Sequence, residues 1–291
     1  MNSKIPKSEI ISKLALGSFR MSGSHFGPYD QREGALVLRK AYEMGISCFD
    51  TAHFYGKGAS DRLLGKIFAK EIKRNRDSIK LYAKGGLSWH GNTVIKDSSL
   101  KALKTALEAS LETLNCDYLD CFFLHYPDPE RPLEESIEAL ISFQAQDEIK
   151  KWGLCNLSIS QLDEIDQKGI SLEGVPFQLS YNLLAPNRHL LEKAKDLGMK
   201  TLIYSPLAEG LLGTSKSALG AKGLSQKDFR HQGPYYSTPS FLDKRDLLEK
   251  EALSEGLSIT QYALNLYLEH PLIDQTIIGP RTMQQLTDLL D

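Results

Sequence analysis

Three short apolar runs of this 291-residue chain end in a side chain that can carry or move a proton: Asp50 closes Ile-Ser-Cys-Phe, Lys84 closes Leu-Tyr-Ala, and His125 closes Cys-Phe-Phe-Leu. Tyr55 follows Asp50 by five residues in Phe49-Asp50-Thr51-Ala52-His53-Phe54-Tyr55-Gly56. Singly, each reads as a polar cap at the end of a strand. Together they form a costly arrangement, because a carboxylate, an ammonium and an imidazole each lose hydration as they approach a core. The chemistry such a group could perform is proton transfer. A phenol ordinarily titrates at about pH 10. A neighbouring ammonium favours the phenolate and would lower that value toward working pH, while the carboxylate holds the ammonium charged and in place. Tyr55 would then donate a proton to an oxygen that gains charge, and His125 would hydrogen-bond and orient that oxygen.

For these side chains to meet, the runs that carry them must be neighbouring strands with their C-terminal ends at one rim. Short apolar runs recur at Lys13–Gly17, Ile46–Asp50, Ile79–Lys84, Tyr118–His125, Lys151–Cys155, Val175–Ser180, Lys200–Tyr204 and Gln275–Ile278. Between them lie amphipathic stretches: Leu100, Leu103, Ala106, Leu107, Ser110, Leu111 and Leu114 share one face at helical spacing, and Ile137, Leu140 and Ile141 begin another. Strands joined by crossover helices are parallel, and eight such units imply an α/β closed barrel, the (β/α)8 or TIM barrel, with catalytic groups at the C-terminal rim. The competing open doubly wound sheet normally carries G-x-G-x-x-G after its first strand, where Gly17-Ser18-Phe19-Arg20 stands instead. One interval breaks the rhythm. About 70 residues separate Tyr204 from Gln275, which predicts a long loop over Ala208–Ser240 after the seventh strand and two helices before the eighth, near Asp243–Ser254 and Ser258–Glu269. The whole of 1–291 reads as a single barrel domain with a short C-terminal end.

Composition narrows the classes further. Lys and Arg total 35 against 37 Asp and Glu, a net charge of −2, which argues against a basic nucleic-acid surface. Hydrophobic residues at 41% and charged residues at 25% suit a folded globular chain. No apolar run approaches the roughly 20 residues that span a bilayer, and the start Met-Asn-Ser-Lys is polar, so no membrane segment or leader is expected and the cytoplasm is the expected compartment. Cys48, Cys116, Cys121 and Cys155 form no C-x-x-C and read as reduced core residues. The remaining histidines form no H-x-H or H-E-x-x-H, so no metal site is expected.

With these residues in view, the sequence resembles the aldo-keto reductase superfamily. The family's F-D-T-A-x-x-Y-G stands at Phe49–Gly56, its strand-end lysine at Lys84 in Tyr-Ala-Lys-Gly-Gly, and its strand-end histidine at His125 in Phe-Leu-His-Tyr-Pro-Asp. The resemblance implies a catalytic tetrad of Asp50, Tyr55, Lys84 and His125 and an NADPH cofactor. Gly153-Leu-Cys-Asn-Leu-Ser is similar to the family's G-V-S-N-F, with Asn156 matching and Cys155 in place of the serine; these two and Gln178 are implied contacts of the nicotinamide amide. In Tyr204-Ser-Pro-Leu-Ala-Glu-Gly-Leu-Leu, Tyr204 would stack on the nicotinamide, and Ser205, Pro206, Leu207, Gly210 and Leu211 would receive the pyrophosphate. Ile278-Gly-Pro-Arg-Thr-Met-Gln-Gln-Leu resembles the family's P-G-x-[RK]-x-x-x-Q-L, which makes Gly279, Arg281, Gln284 and Gln285 contacts at the adenosine end, with Arg281 on the 2′-phosphate. Leu289 stands where the family has an asparagine. Gly17, Ser18 and Phe19, at and just beyond the end of the first strand, and Asp50 complete the implied cofactor contacts.

The resemblance implies reduction of an aldehyde or ketone to an alcohol by hydride transfer, with Tyr55 as general acid. Two other functions remain open at this point: an NADPH-sensing regulatory subunit of the potassium-channel β type, which shares the fold and the tetrad, and the same site run backwards as an alcohol or sugar dehydrogenase. Trp89 and His90, after the Lys84 strand, and Tyr126 are the candidate substrate contacts. The chain stops at Asp291, about ten residues past Arg281. The short end predicts a mouth open on one side and tolerant of polar or bulky small-molecule carbonyl compounds such as sugars. No nucleic-acid or membrane partner is expected, and the sequence does not specify an oligomeric state.

Overall fold

The computed structural model describes residues 7–23, 29–213, 228, 230 and 233–290. Eight parallel strands close into a barrel: β1 (Leu14–Gly17), β2 (Cys48–Asp50), β3 (Lys80–Gly85), β6 (Cys121–Leu124), β7 (Trp152–Cys155), β8 (Pro176–Ser180), β9 (Lys200–Tyr204) and β10 (Gln275–Ile278), in the order β1-β10-β9-β8-β7-β6-β3-β2. All eight coincide with the apolar runs, to within three residues at either end. Between β3 and β6 lies a two-stranded antiparallel hairpin, β4 (Leu87–His90) and β5 (Thr93–Lys96), that the reading by period did not contain. Its signal is Gly91-Asn92 between short alternating stretches, a pair suited to a tight turn, and Gly91 takes φ +62°.

Helices wrap the barrel: α1 (Lys7–Ser12), α2 (Gln31–Glu43), α3 (Ala59–Ile67), α4 (Ala69–Arg74), α5 (Leu100–Leu114), α6 (Leu133–Ala145), α7 (Ile159–Gln167), α8 (Arg188–Asp196), α9 (Pro234–Ser237), α10 (Pro239–Ser254), α11 (Ile259–Glu269) and α12 (Met283–Leu290). Local chemistry sets their ends. Ser158 and Ser258 each form a capping box with the glutamine three residues on, so α7 and α11 start where two orphan amides find partners. On α5 the face is narrower than its apolar positions suggest: Leu103, Leu107, Ser110 and Leu114 are buried, whereas Leu100 in the first turn is 56% exposed. On α6, Ile137 and Leu140 are buried and Ile141 is 44% exposed. Of the long loop expected after the seventh strand, residues 214–227 lie outside the described residues. Its later part contains the short α9, so three helices rather than two precede β10 among the described residues.

Alternation along the strands divides the core in two. Ala15, Cys48, Cys121, Phe123, Cys155, Leu202 and Ile277 point to the barrel axis and pack together with Tyr82 and Tyr204. Their neighbours in sequence, such as Phe49, Leu81, Phe122, Leu154 and Phe177, point outward and meet the helices. A period of two along each strand therefore sends Asp50, Lys84 and His125 to the axis as well, each two residues on from Cys48, Tyr82 and Phe123. Of the four cysteines, Cys48, Cys121 and Cys155 on the strands are buried, and Cys116 is partly buried.

Candidate active site

At the C-terminal rim, Lys84 and Asp50 form a buried ion pair, 3% and 4% exposed, with Lys84 Nζ 2.5 Å from Asp50 Oδ1. Lys84 also donates to the carbonyl of Thr51 at 3.0 Å. The second carboxylate oxygen of Asp50 accepts from Gln178 Nε2 at 2.7 Å, so both oxygens are satisfied without water. Burial works against the Lys84 charge, but Asp50, Tyr55 and Cys155 more than offset it and the ammonium holds its proton more tightly than a free lysine.

Tyr55 sits on the turn that leaves β2, its amide donating to Ala52 O at 2.9 Å. Its ring centroid lies 5.1 Å from Lys84 Nζ, 4.8 Å from the ring of Phe19 and 5.6 Å from that of His125. The turn depends on Gly56, whose φ is +58° and where a Cβ would stand 2.4 Å from the carbonyl oxygen of Ser22. The titration of Tyr55 departs from the expectation. Burial pushes the phenol above its ordinary value, Lys84 pulls against this, and Asp50 adds to the rise, so the net direction is up. Loss of hydration outweighs the neighbouring cation, and the phenol keeps its proton.

His125 is 7% exposed, and burial together with the Lys84 charge holds it well below the usual imidazole range. It is neutral at working pH, with Nδ1 buried and unpartnered. Its backbone carbonyl accepts from Asn156 Nδ2 at 2.8 Å, and Asn156 Oδ1 accepts from the Tyr204 hydroxyl at 2.6 Å. Asn156 has φ +60°, a conformation asparagine tolerates better than most residues.

These groups floor one end of a cavity of about 1040 Å³ that runs to Arg281. Of the residues expected to touch the cofactor, Gly17, Phe19, Asp50, Cys155, Asn156, Gln178, Tyr204, Ser205, Pro206, Leu207, Gly210, Gly279, Arg281, Gln284 and Gln285 line it. Two do not. Ser18 is buried beneath, with its amide and hydroxyl both on Asp50 O at 2.9 and 3.0 Å, and Leu211 is wholly buried in the core. Tyr126 lines the cavity; Trp89 and His90 do not. Trp89 stacks on cavity-lining Phe54 with ring centroids 4.8 Å apart and donates from Nε1 to Phe54 O at 3.1 Å. His90 follows it in β4, and adjacent strand residues face opposite ways, so the two side chains lie on opposite faces of the hairpin.

The far end of the cavity is cationic in a way the sequence reading missed. Arg20, Arg230 and Arg281 all line it. Arg230 is forked onto Asp228, Nε to Oδ1 at 2.9 Å and Nη2 to Oδ2 at 2.7 Å, and its Nη1 reaches Glu209 O at 3.1 Å. Burial, then the charges of Arg230 and Arg281, bring Arg20 down to about 10. Crowded guanidinium groups of this kind suit a ligand with several negative charges. In the turn after β9, Ser205, Ala208 and Glu209 have positive φ, and the amides of Ala208 and Gly210 close it on the carbonyls of Ser205 and Leu207 at 3.0 and 2.8 Å. Arg20 was within reach of sequence reasoning, being a charge directly beyond an apolar strand. Arg230 was not, since its segment has no period. A phosphorylated dinucleotide fits this donor set, with a neutral polar floor at one end and guanidinium groups at the other. Among the described residues no three His, Cys, Asp or Glu side chains group as metal ligands, and no helix is long and apolar enough to cross a membrane.

Comparison with known proteins gives a consistent result. Residues 13–291 match the model of the aldo/keto reductase family. Aldo-keto reductase YhdN of Bacillus subtilis (strain 168) is 30% identical over 285 residues, which cover 96% of this chain and 84% of that protein. L-glyceraldehyde 3-phosphate reductase of Escherichia coli (strain K12) is 28% identical over 271 residues, 87% of this chain and 76% of that one. Among solved structures, the glycerol dehydrogenase AKR11B4 from Gluconobacter oxydans superposes with a TM-score of 0.81 at 26% identity, covering 96% of this chain and 85% of that chain.

Proposed function

The chain belongs to the aldo/keto reductase family, and from that premise we propose that it reduces an aldehyde or ketone to an alcohol with NADPH. The observation that carries this reading is a phenol kept protonated by burial, Tyr55, beside a buried ammonium, Lys84, and a neutral imidazole, His125. When bound, NADPH supplies the hydride that reaches the carbonyl carbon. Tyr55 transfers its phenolic proton to the carbonyl oxygen as charge develops there. The phenolate left behind is stabilised by Lys84, whose own charge Asp50 secures. His125, uncharged and beside Tyr55, orients the oxygen as a hydrogen-bond donor rather than competing for the proton.

The residues that would hold the cofactor divide along the cavity. Gln178 commits Nε2 to Asp50, which leaves Oε1 to receive the nicotinamide amide, with Asn156 beside it and Tyr204 as stacking face. Cys155 stands there as a protonated thiol, pushed up by burial. Arg20 and the turn after Tyr204 would meet the pyrophosphate, and Arg281 the 2′-phosphate. The reverse reaction uses the same groups, and the likeness to a glycerol dehydrogenase favours it as a second reading.

The test is NADPH oxidation across ketosugars, aldoses and aromatic aldehydes, with Tyr55→Phe alongside. Turnover in the native protein and a loss on the order of 10² or more in the variant, with NADPH affinity kept, supports the mechanism. Equal turnover in Tyr55→Phe overturns it, and tight NADPH binding with no turnover of any carbonyl favours a cofactor-sensing subunit.

A further inference from the structure

The hairpin β4–β5 stands beside the mouth, and its alternation decides which of its side chains face a ligand. Leu87 lines the cavity, and its direct cross-strand partner is Lys96; Trp89 and its partner Val94 share that face. Lys96 Nζ lies 5.1 Å from the ring centroid of Tyr126, which lines the cavity and whose ring is 5.4 Å from that of His125. Lys57, two residues after Tyr55, places its ammonium 5.6 Å from the Trp89 ring and donates to Gly91 O at 3.4 Å. Lys96 thus stands against Tyr126, which lines the cavity, and Lys57 against Trp89, which backs cavity-lining Phe54; the two lysines lie outside the cavity lining itself.

Neither lysine forms an ion pair with a described residue. The acids nearest in sequence are engaged elsewhere: Asp97, beside Lys96, accepts from the Ser99 amide at 3.0 Å and lies 3.8 Å from Arg131, and Asp61, four residues after Lys57, accepts from Thr51 and Ser110. An ammonium over an aromatic face is held in place, yet keeps donors for a stronger, charged acceptor. We propose that Lys96, assisted by Lys57, forms a subsite for an anionic group of the carbonyl substrate, so that aldehydes or ketones bearing a carboxylate or phosphate are preferred over neutral ones. This rests on the reductase reading above and names the substrate class of that same site. Lys96 and His125 thus share the Tyr126 ring as a neighbour, at 5.1 Å from Nζ and 5.4 Å between rings.

Two matched pairs test this by kcat/KM with NADPH: succinic semialdehyde against butanal, and glyceraldehyde 3-phosphate against glyceraldehyde. The expected result is a preference for the charged partner in at least one pair, and the responding pair identifies carboxylate or phosphate. That preference should weaken with added salt, fall about fivefold or more in Lys96→Gln, invert in Lys96→Glu and persist in Lys96→Arg, with a smaller fall in Lys57→Gln. No preference in the native enzyme, or the same ratio in native and Lys96→Gln, overturns the subsite. If no carbonyl is turned over, the reductase reading fails separately. Calorimetric binding of succinate and glycerol 3-phosphate then decides the subsite: weaker binding in Lys96→Gln supports it, and equal or no binding overturns it.

Discussion

Gln178 and Asp50, 128 residues apart in the chain, are joined by a 2.7 Å hydrogen bond in the barrel interior. The residue that would read the nicotinamide amide therefore also holds the carboxylate that secures Lys84. Gln178→Ala should weaken NADPH binding and lower kcat together, since a bond to a charged group contributes about 1.5–3 kcal/mol. Cofactor titration by fluorescence quenching with parallel turnover measurement checks this; a change in affinity with kcat intact would show that Gln178 serves the cofactor alone.

The Lys84–Asp50 pair predicts a separation of stability from activity. Lys84→Met leaves a buried, unpaired carboxylate and should destabilise the fold by about 3–5 kcal/mol in urea unfolding. Adding Asp50→Asn removes the stranded charge and should restore much of that stability. Turnover should stay low in both, because neither retains a cation beside Tyr55.

His125 makes stability depend on pH in a defined direction. Its folded-state value lies well below the ordinary 6.5, so the unfolded chain binds the extra proton first as pH falls. The neutral imidazole is thus at no disadvantage above pH 6.5, and stability should decline progressively as pH falls from there toward the folded value. Urea midpoints between pH 7.5 and 5 should fall less steeply in His125→Gln than in the native chain.

Arg281 should set the choice of nucleotide. It lines the cavity, with its guanidinium 5.8 Å from the Tyr29 ring centroid and its amide donating to Gln285 Oε1 at 2.8 Å. Arg281→Ala should raise KM for NADPH by about tenfold or more and leave KM for NADH nearly as it was, as expected for a lost charge-assisted phosphate contact. Equal effects on both nucleotides would place the contact at the pyrophosphate.

Strand positions and the meeting of Asp50, Lys84 and His125 at one rim were legible because both follow from short-range rules. An apolar run names a strand, its last residue names the rim, and a period of two sends Asp50, Lys84 and His125 to the same axis. What escaped depends on surroundings that no single segment carries. The direction of Tyr55 turns on how deeply it is buried, which outweighs the cation beside it. Arg230 reaches the cavity from a stretch without pattern, and Lys96 comes to the cavity-lining Tyr126 only through the hairpin that carries it. For His90 the limit was one of period: Leu87–His90 is a strand, and its alternation sets His90 on the face opposite to cavity-lining Leu87. The exposure of Leu100 and Ile141 shows the same limit, since helical spacing marks a stripe but not where the barrel surface curves away from it.

The thiols share a property that reaches beyond catalysis. Cys48, Cys121 and Cys155 are buried on the barrel axis, and burial pushes all three thiols up; Cys116, partly buried, is pushed up to about 12. Thiolate is the form that reacts with alkylating and oxidising agents, and the folded barrel withholds it at all four positions. Opening of the barrel returns each to ordinary reactivity, so the rate of thiol modification under native conditions is a clock for unfolding, written into the chain without any added probe.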